Sequence, residues 1–387
     1  MINVVDLFSG AGGLTFGFKK KIEGFSFIDR DDFMIKFANE YNKDAAEAFR
    51  RNYPDIPMIE EDIAKIDKKY LMEKEVDIEN IDLLIGGPPC QSYSTVGKRQ
   101  YDNRAKMYRE YRRLLSILQP KMFVFENVTG LLSMKNSQND PIIKDIEESF
   151  RDLSEFTDSI GYKIYNKVLN AKDFGVPQNR ARVFLVGIRM DLNPEVKWEF
   201  PTGDFVDKEV TLREAISDLP KLNNNDFCGE YLEEPSSDYQ KLMRGNCKTL
   251  YNHISRNHGE RLIKIMSALG EGQGKNDINK MVEDGLLSED LYLTSGYSNT
   301  YGRLWWDKPS TTITNSLSSP SSLRCIHPSQ DRALTAREGA RIQSFPDDYQ
   351  FVGGLQSVNM QIGNAVPPIL SVYLANRISE FFRQNNM

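Results

Sequence analysis

Short apolar runs alternate with longer amphipathic segments through the first half of the chain, and this alternation restricts the possible folds more than any other feature. Ile2 to Leu7, Met34 to Phe37, Ile81 to Ile85, Met122 to Phe125 and Val183 to Ile188 read as buried strands, whereas Lys106 to Leu118 and Ile142 to Leu153 read as helices. Strands joined through helices run parallel, so the expected fold is α/β, a doubly wound, mostly parallel sheet. After about Asp191 the character changes, with Asn at 223 to 225, EEPSSD at 233 to 238 and SLSSPSS at 316 to 322 punctuating shorter elements. Pro368 to Phe382 is again an amphipathic helix, which predicts a return to the first unit and makes the middle an inserted, smaller domain. The expected division is 1–190 plus 358–387 for one domain and 191–357, with its hinge, for the other.

Composition narrows the classes. Hydrophobic residues make up 40% and charged residues 27%, enough apolar material for a core and no sign of wholesale disorder. Lys plus Arg number 49 against 55 Asp plus Glu, and the net charge of −6 excludes a histone-like binder that works through bulk positive charge. The four cysteines, Cys90, Cys228, Cys247 and Cys325, form no C-x-x-C pair, which fits a reducing cytoplasm. Without such knuckles, Cys228, Cys247, His253 and His258 are not expected to hold zinc, and no metal is expected. Met1 runs directly into a strand and no stretch approaches the length of a membrane span, so a soluble, unexported protein is expected.

The loops at strand ends carry the chemistry. The first strand ends in Asp6 and runs into FSGAGG, a glycine turn of the kind that lets backbone approach a nucleotide-like ligand at the head of a helix. As a dinucleotide fingerprint it fails, since Thr15 stands where Gly or Ala is needed. Glu40, at the end of the strand MIKFAN, is placed to take two ribose hydroxyls of either a dinucleotide or S-adenosylmethionine. GGPPCQSYS, directly after IDLLI, puts Cys90 on a loop leaving a parallel strand, with Pro88 and Pro89 restricting the backbone before it. FVFENV ends another strand in Glu126, and GVPQNRARVFLVG sets Gln178, Arg180 and Arg182 at alternate positions, on one face if this is a strand.

In combination these pieces resemble the cytosine-5 DNA methyltransferase family, of the bacterial restriction-modification type. DLFSGAGG at 6–13, ANE at 38–40, EDI at 61–63, PPCQ at 88–91, ENV at 126–128, QNRARVF at 178–184, LTAREGARIQSFP at 334–346 and IGNAVPP at 362–368 stand in the family's order. The resemblance implies a Rossmann-like, S-adenosylmethionine-dependent catalytic domain with an inserted target-recognition domain. The substrate implied is a cytosine flipped out of a specific double-stranded DNA sequence, since its carbon 5 is unreachable within the stack.

The roles it implies can be assigned residue by residue. Cys90 would be the nucleophile at carbon 6, Glu126 the acid at ring nitrogen 3, and Arg182 with Arg180 the electrostatic partners that also orient Glu126. Phe8 would stack on the adenine with Ile63 nearby, Asp62 would accept from its amino group, and Glu40 would hold the ribose beside Tyr41. Gly10, Gly12 and Gly13 would approach the methionine tail, Pro88 would flank the cofactor, and Asn364, Ala365 and Val366 would close the pocket. The resemblance also implies a cytoplasmic monomer acting on the nucleoid, with a cognate restriction endonuclease as a possible partner.

The chain departs from the family's pattern in places. SFIDRDDF intervenes between Gly24 and Met34, Glu61 replaces a usual Gly, and Arg104-Ala105 with Met107 replaces Arg-Gly and then Leu. Val128, Thr129 and Gly130 follow Glu126 where the tRNA-methylating relatives have Cys-Phe-Thr, which favours DNA as substrate. The stretch after Cys90 is locally basic, with Arg104, Arg109, Arg112 and Arg113 among its cations. Together with Gln91 and Ser94 these are expected to meet DNA, the arginines at phosphates beside the flipped base.

Overall fold

The computed structural model describes residues 1–89, 107–136, 139–157 and 159–387. In chain order its strands are β1 (Ile2–Leu7), β2 (Lys20–Glu23), β3 (Ser26–Asp29), β4 (Phe33–Asn39), β5 (Met58–Ile59), β6 (Leu83–Gly86), β7 (Met122–Val128), β8 (Tyr162–Asn170) and β9 (Ala181–Arg189). Seven of them form one sheet in the order β5-β4-β1-β6-β7-β9-β8. All neighbours are parallel except β9, which runs antiparallel to both β7 and β8. The remaining pair, β2 and β3, is an antiparallel hairpin whose second strand is the start of the intervening SFIDRDDF segment.

The unbroken apolar runs follow from burial on both sheet faces, because successive side chains point to opposite sides. On one face Val4, Leu83, Ile85, Met122, Val124, Phe184, Val186 and Ile188 join a cluster with residues of the helices Gly13–Lys19 and Pro368–Gln384. On the other, Val5, Leu7, Leu84, Phe123, Phe125, Val183 and Leu185 pack with the helices Met107–Leu118 and Ile142–Arg151. The C-terminal helix is fastened to the first by Ser371, whose hydroxyl accepts from the Gly17 N–H at 3.0 Å and donates to the Leu14 carbonyl.

The first cluster continues well past residue 190. Trp198, Val210, Leu212, Ala215 and Leu219 belong to it, as do Leu334, Ala340, Phe345, Tyr349 and Phe351. A separate small cluster, with Ile265, Met266, Leu269, Ile278, Leu291, Leu293 and Ile326 at its centre, lies within the middle region. A buried ionic network centres on the helix Ala336–Ile342. Arg341 pairs with Asp218 at 2.7 Å and Asp347 at 2.6 Å, and Arg332 pairs with Glu338 at 2.7 Å. His253 uses both ring nitrogens on the Thr335 hydroxyl and the Pro220 carbonyl. Among the described residues no helix is long and apolar enough to cross a membrane.

Candidate active site

The carboxyl ends of β1, β4, β6 and β7 lie side by side, which brings their following loops to one edge of the sheet. The chain leaves β1 through Phe8 and Gly10, both with positive φ (56° and 57°), and Gly12, at φ 96°, caps the helix Gly13–Lys19. A side chain at Gly12 would meet the Tyr53 ring at 2.4 Å, so both conformation and space demand glycine there. Gly10 by contrast faces open space, with nothing within 4 Å of where a Cβ would stand. A left-handed backbone at Phe8, a non-glycine residue, is unusual and marks a turn held by its surroundings.

Glu40 follows β4 directly and ties this turn to its own. One carboxylate oxygen accepts from the Gly10 N–H at 2.9 Å and the other from the Asn42 N–H at 2.7 Å. Burial pushes its carboxyl up from the ordinary range, and these N–H donors oppose that shift. Tyr41 beside it is exposed. Past β5, Asp62 caps a single 3-10 turn, Ile63–Lys65, by accepting from Ala64 N–H at 3.0 Å, and Ile63 is buried beneath it. From the C-terminal side, the positions a Cβ on Gly13 would occupy are 2.5 Å from the Val366 carbonyl and 2.9 Å from the Ala365 side chain. Residues 364–366 thus lie over the glycine turn, with Asn364 exposed and Val366 buried. Phe8, Gly10, Gly12, Gly13, Glu40, Asp62, Ile63 and Ala365 to Val366 therefore come from adjacent strand ends and one returning segment.

The second half of the site is built at the end of β7. Glu126 is buried, and Arg182 of the antiparallel neighbour β9 reaches its carboxylate at 3.2 Å. Burial raises the Glu126 carboxyl above its ordinary range, with Arg182 and then Arg180 opposing. A Cβ on Gly87 would stand 2.9 Å from the Glu126 Oε2, so the backbone after β6 passes directly against this carboxyl. Asn127 holds the same backbone, donating to the carbonyl of the buried Pro88 at 3.4 Å. A buried carboxyl, paired with a guanidinium, therefore lies against the backbone at Gly87. Cys90 itself, with Gln91, Ser94 and Arg104, lies outside the described residues.

Arg180 is placed differently from Arg182. It precedes β9, is fully enclosed, and donates to the carbonyls of Ile313 at 2.8 Å, Gly363 at 2.9 Å and Ala365 at 3.1 Å. Gln178, also enclosed, donates to Gln343 and accepts from the Ile313 N–H at 2.7 Å, while Gln343 donates to the carbonyls of Ile362 and Ala365 at 2.9 Å each. These side chains bind the segments around 180, 313, 343 and 364 together. Arg180 thus contributes charge toward Glu126 from a distance while its hydrogen bonds hold the returning C-terminal segment.

Of the arginines expected at DNA phosphates, Arg112 and Arg113 make contacts within the protein. Arg112 donates to the carbonyls of Ser149 and Asp152 and pairs with Glu155. Arg113 donates to Glu110 at 2.8 Å and to the carbonyls of Ile63 and Ile66 at 2.7 Å each. Positions 112 and 113 lie about 100° apart on a helix, and each guanidinium finds acceptors on a different neighbouring element. Arg109 is exposed, its guanidinium 6.0 Å from the Tyr108 ring.

Sequence reasoning also passed over Asp6. Its side chain is fully buried, Oδ2 accepts from the Thr15 hydroxyl, and Oδ1 has no partner. Burial pushes the carboxyl up to about 7, Thr15 opposing and Glu40 adding to it. The signal was present in an acidic residue inside an apolar strand next to the glycine turn.

A model of the C-5 cytosine-specific DNA methylase family matches residues 2–380. Type II methyltransferase M.DdeI of Desulfomicrobium norvegicum is 36% identical over an alignment of 402 residues that covers 100% of this chain and 90% of that protein. Type II methyltransferase M1.HphI of Haemophilus parahaemolyticus is 32% identical over 381 residues, covering 97% of this chain and 86% of the relative. Among solved structures, a DNA modification methyltransferase encoded within an E. coli prophage shares the fold with a TM-score of 0.72 at 24% identity, over 99% of this chain and 100% of that one.

Proposed function

The chain belongs to the C-5 cytosine-specific DNA methylase family and is a cytosine-5 DNA methyltransferase, and from that premise we propose how its own residues carry the reaction. The substrate is a cytosine flipped out of a specific duplex sequence, the methyl donor is S-adenosyl-L-methionine, and catalysis passes through a covalent bond between Cys90 and carbon 6. The relatives named as Type II methyltransferases support a place in restriction-modification, where a cognate endonuclease would act on the same site. A monomer in the cytoplasm suits that role.

The pocket suits the donor by its chemistry. Gly10 leaves open space above the turn, Glu40 presents a carboxylate fixed by backbone N–H groups, and Asp62 stands beside the buried Ile63. Phe8 and Ile63 would enclose the adenine, Asp62 accept from its amino group, Glu40 hold the ribose hydroxyls with Tyr41 alongside, and Gly10, Gly12 and Gly13 meet the methionine tail. Pro88 and residues Asn364 to Val366 would close the sides. S-adenosylmethionine, when bound there, supplies an electrophilic methyl group.

Carbon 5 of cytosine is a poor nucleophile until the ring's aromaticity is broken. The Cys90 thiolate adds its electron pair to carbon 6, forming a C–S bond and displacing ring electrons toward nitrogen 3 and the carbonyl oxygen. Glu126 gives its proton to nitrogen 3, and Arg182 stabilises the charge at the oxygen. Once carbon 5 carries the methyl group, its proton leaves to a water molecule acting as base, the C–S bond breaks with its electron pair returning to Cys90, and nitrogen 3 gives its proton back to Glu126, restoring the ring and the enzyme. The observation that carries this reading is Glu126, buried beside Arg182 and against Gly87, with its carboxyl raised above the ordinary carboxylate range by burial.

Transfer of labelled methyl to duplex DNA tests it, with the product nucleoside identified as 5-methylcytosine. Glu126→Gln should lower turnover by about 10² or more while cofactor affinity stays within about twofold. Turnover of Glu126→Gln within about tenfold of wild type, or methylation of a cytosine amino group instead of carbon 5, contradicts the reading.

A further inference from the structure

Arg113 sits on the helix Met107–Leu118, which follows the segment bearing Cys90, yet its side chain reaches the loop beyond β5. There its two terminal nitrogens donate to the carbonyls of Ile63 and Ile66, both at 2.7 Å, while Nε donates to Glu110 at 2.8 Å. From the opposite side Asn39, the last residue of β4, donates to the carbonyls of Ile59 and Glu61, both at 2.9 Å. The turn carrying Asp62 and Ile63 is thereby gripped along its backbone from two elements, one ending beside Glu40 and the other continuing from the catalytic segment. Left alone, one 3-10 turn has few internal hydrogen bonds to fix its shape. The external grips decide where Asp62 and Ile63 stand.

We propose that Arg113 is a positioning residue for the adenine end of the cofactor pocket, holding the Asp62–Ile63 turn in register with the helix that follows Cys90. This rests on the assignment of Asp62 and Ile63 to the adenine made above. The planar guanidinium fork reaches both carbonyls at once and still answers Glu110, which an ammonium on a flexible stem does not reproduce. Ile63 and Ile66 are buried; without Arg113 the Ile63 carbonyl keeps the Ile66 N–H at 3.2 Å, while the Ile66 carbonyl loses its guanidinium donor and pulls the turn toward other donors. A phosphate role for Arg113 and a positioning role make opposite demands, because the same side chain cannot hold the turn and face outward to DNA.

Calorimetric titration of S-adenosylmethionine into full-length wild type, Arg113→Lys, Arg113→Gln and Glu110→Gln decides the matter, alongside DNA affinity measured against salt. Both Arg113 variants should weaken the cofactor by about tenfold and raise its KM with kcat within about twofold. Glu110→Gln should weaken it less, and DNA affinity should keep its wild-type salt slope throughout. If Arg113→Gln fails to fold, Arg113→Lys and Glu110→Gln carry the test. Wild-type cofactor affinity in folded Arg113→Lys, whether or not its Tm falls, overturns the proposal. So does a salt slope lowered by about one unit, the mark of a lost phosphate contact. A wild type that binds no S-adenosylmethionine overturns the pocket assignment and this proposal with it, whereas binding by wild type and unchanged binding by Arg113→Lys overturns only the proposal.

Discussion

Glu126 and Asp6 are both carboxyls enclosed at the carboxyl edge of the sheet, but their surroundings give them different work. Glu126 has a guanidinium within reach to offset its burial and lies against the backbone at Gly87, three residues before Cys90 in sequence. Asp6 has the Thr15 hydroxyl as its hydrogen-bond partner and lies under the glycine turn. Its carboxyl is pushed up to about 7 from the ordinary 3.8, so the native state binds a proton that the unfolded chain has released across that interval. The stabilisation is therefore complete below the unfolded value and lost as pH rises through about 7. Asp6→Asn keeps the shape and removes the titration. Its Tm should fall less than that of wild type when pH is raised from about 5 to about 8, measured by differential scanning calorimetry. Parallel Tm–pH curves for the two proteins refute a protonated Asp6.

At the scale of elements, what the sequence made legible was whatever packs on both sides. The runs read as strands fall within β1, β4, β6, β7 and β9 or differ from them by a residue or two at the ends, because continuous apolar sequence has few other uses. The strand β8 escaped notice since its pattern, YKIYNKVLN, leaves Lys163, Asn166, Lys167 and Val168 outward at the sheet's edge, and an edge strand carries a diluted apolar signal. The hairpin β2–β3 escaped for a related reason, having just four residues in each strand. The positions of Glu40 and Glu126 at strand ends were legible in the sequence, whereas the direction of long cations was not. Arg112 and Arg113 are attached to a helix whose composition reads as solvated, and the acceptors that turn them inward lie 37 to 50 residues away in sequence. Arg112→Gln should therefore cost stability, about 1–3 kcal/mol by chemical denaturation, with no change in the salt slope of DNA affinity. A slope reduced by about one unit with unchanged stability restores the phosphate reading.

Over the whole molecule the covalent order and the packing order differ. Composition shifts near residue 191, but Trp198 packs its ring 5.5 Å from Phe381 of the C-terminal helix, and the apolar cluster of the sheet takes in residues up to Leu250 and again from Leu304. The part with its own apolar centre lies mainly between 262 and 301. We expect base recognition to reside there. Exchanging 260–301 with the matching segment of a relative should move the methylated sequence, read by bisulfite sequencing, while exchange of all of 191–357 should yield insoluble protein. A folded 260–301 chimera that methylates the original site places recognition elsewhere. The remainder, with Arg341 paired to both Asp218 and Asp347, would then serve to keep Glu126 and the glycine turn in one frame. That frame has meaning only if Cys90 forms the bond at carbon 6. Of the other cysteines, Cys325 is buried with its thiol pushed up by burial, and burial also raises that of Cys247. The direct measurement uses duplex DNA with 5-fluorocytosine at the target position, incubated with the enzyme and S-adenosylmethionine, followed by denaturation and peptide mass spectrometry. Because fluorine cannot leave as a proton does, the adduct should persist, carry a methyl group on carbon 5 and map to Cys90. Attachment at Cys228, Cys247 or Cys325, or methylated DNA with no protein attached, would contradict the account.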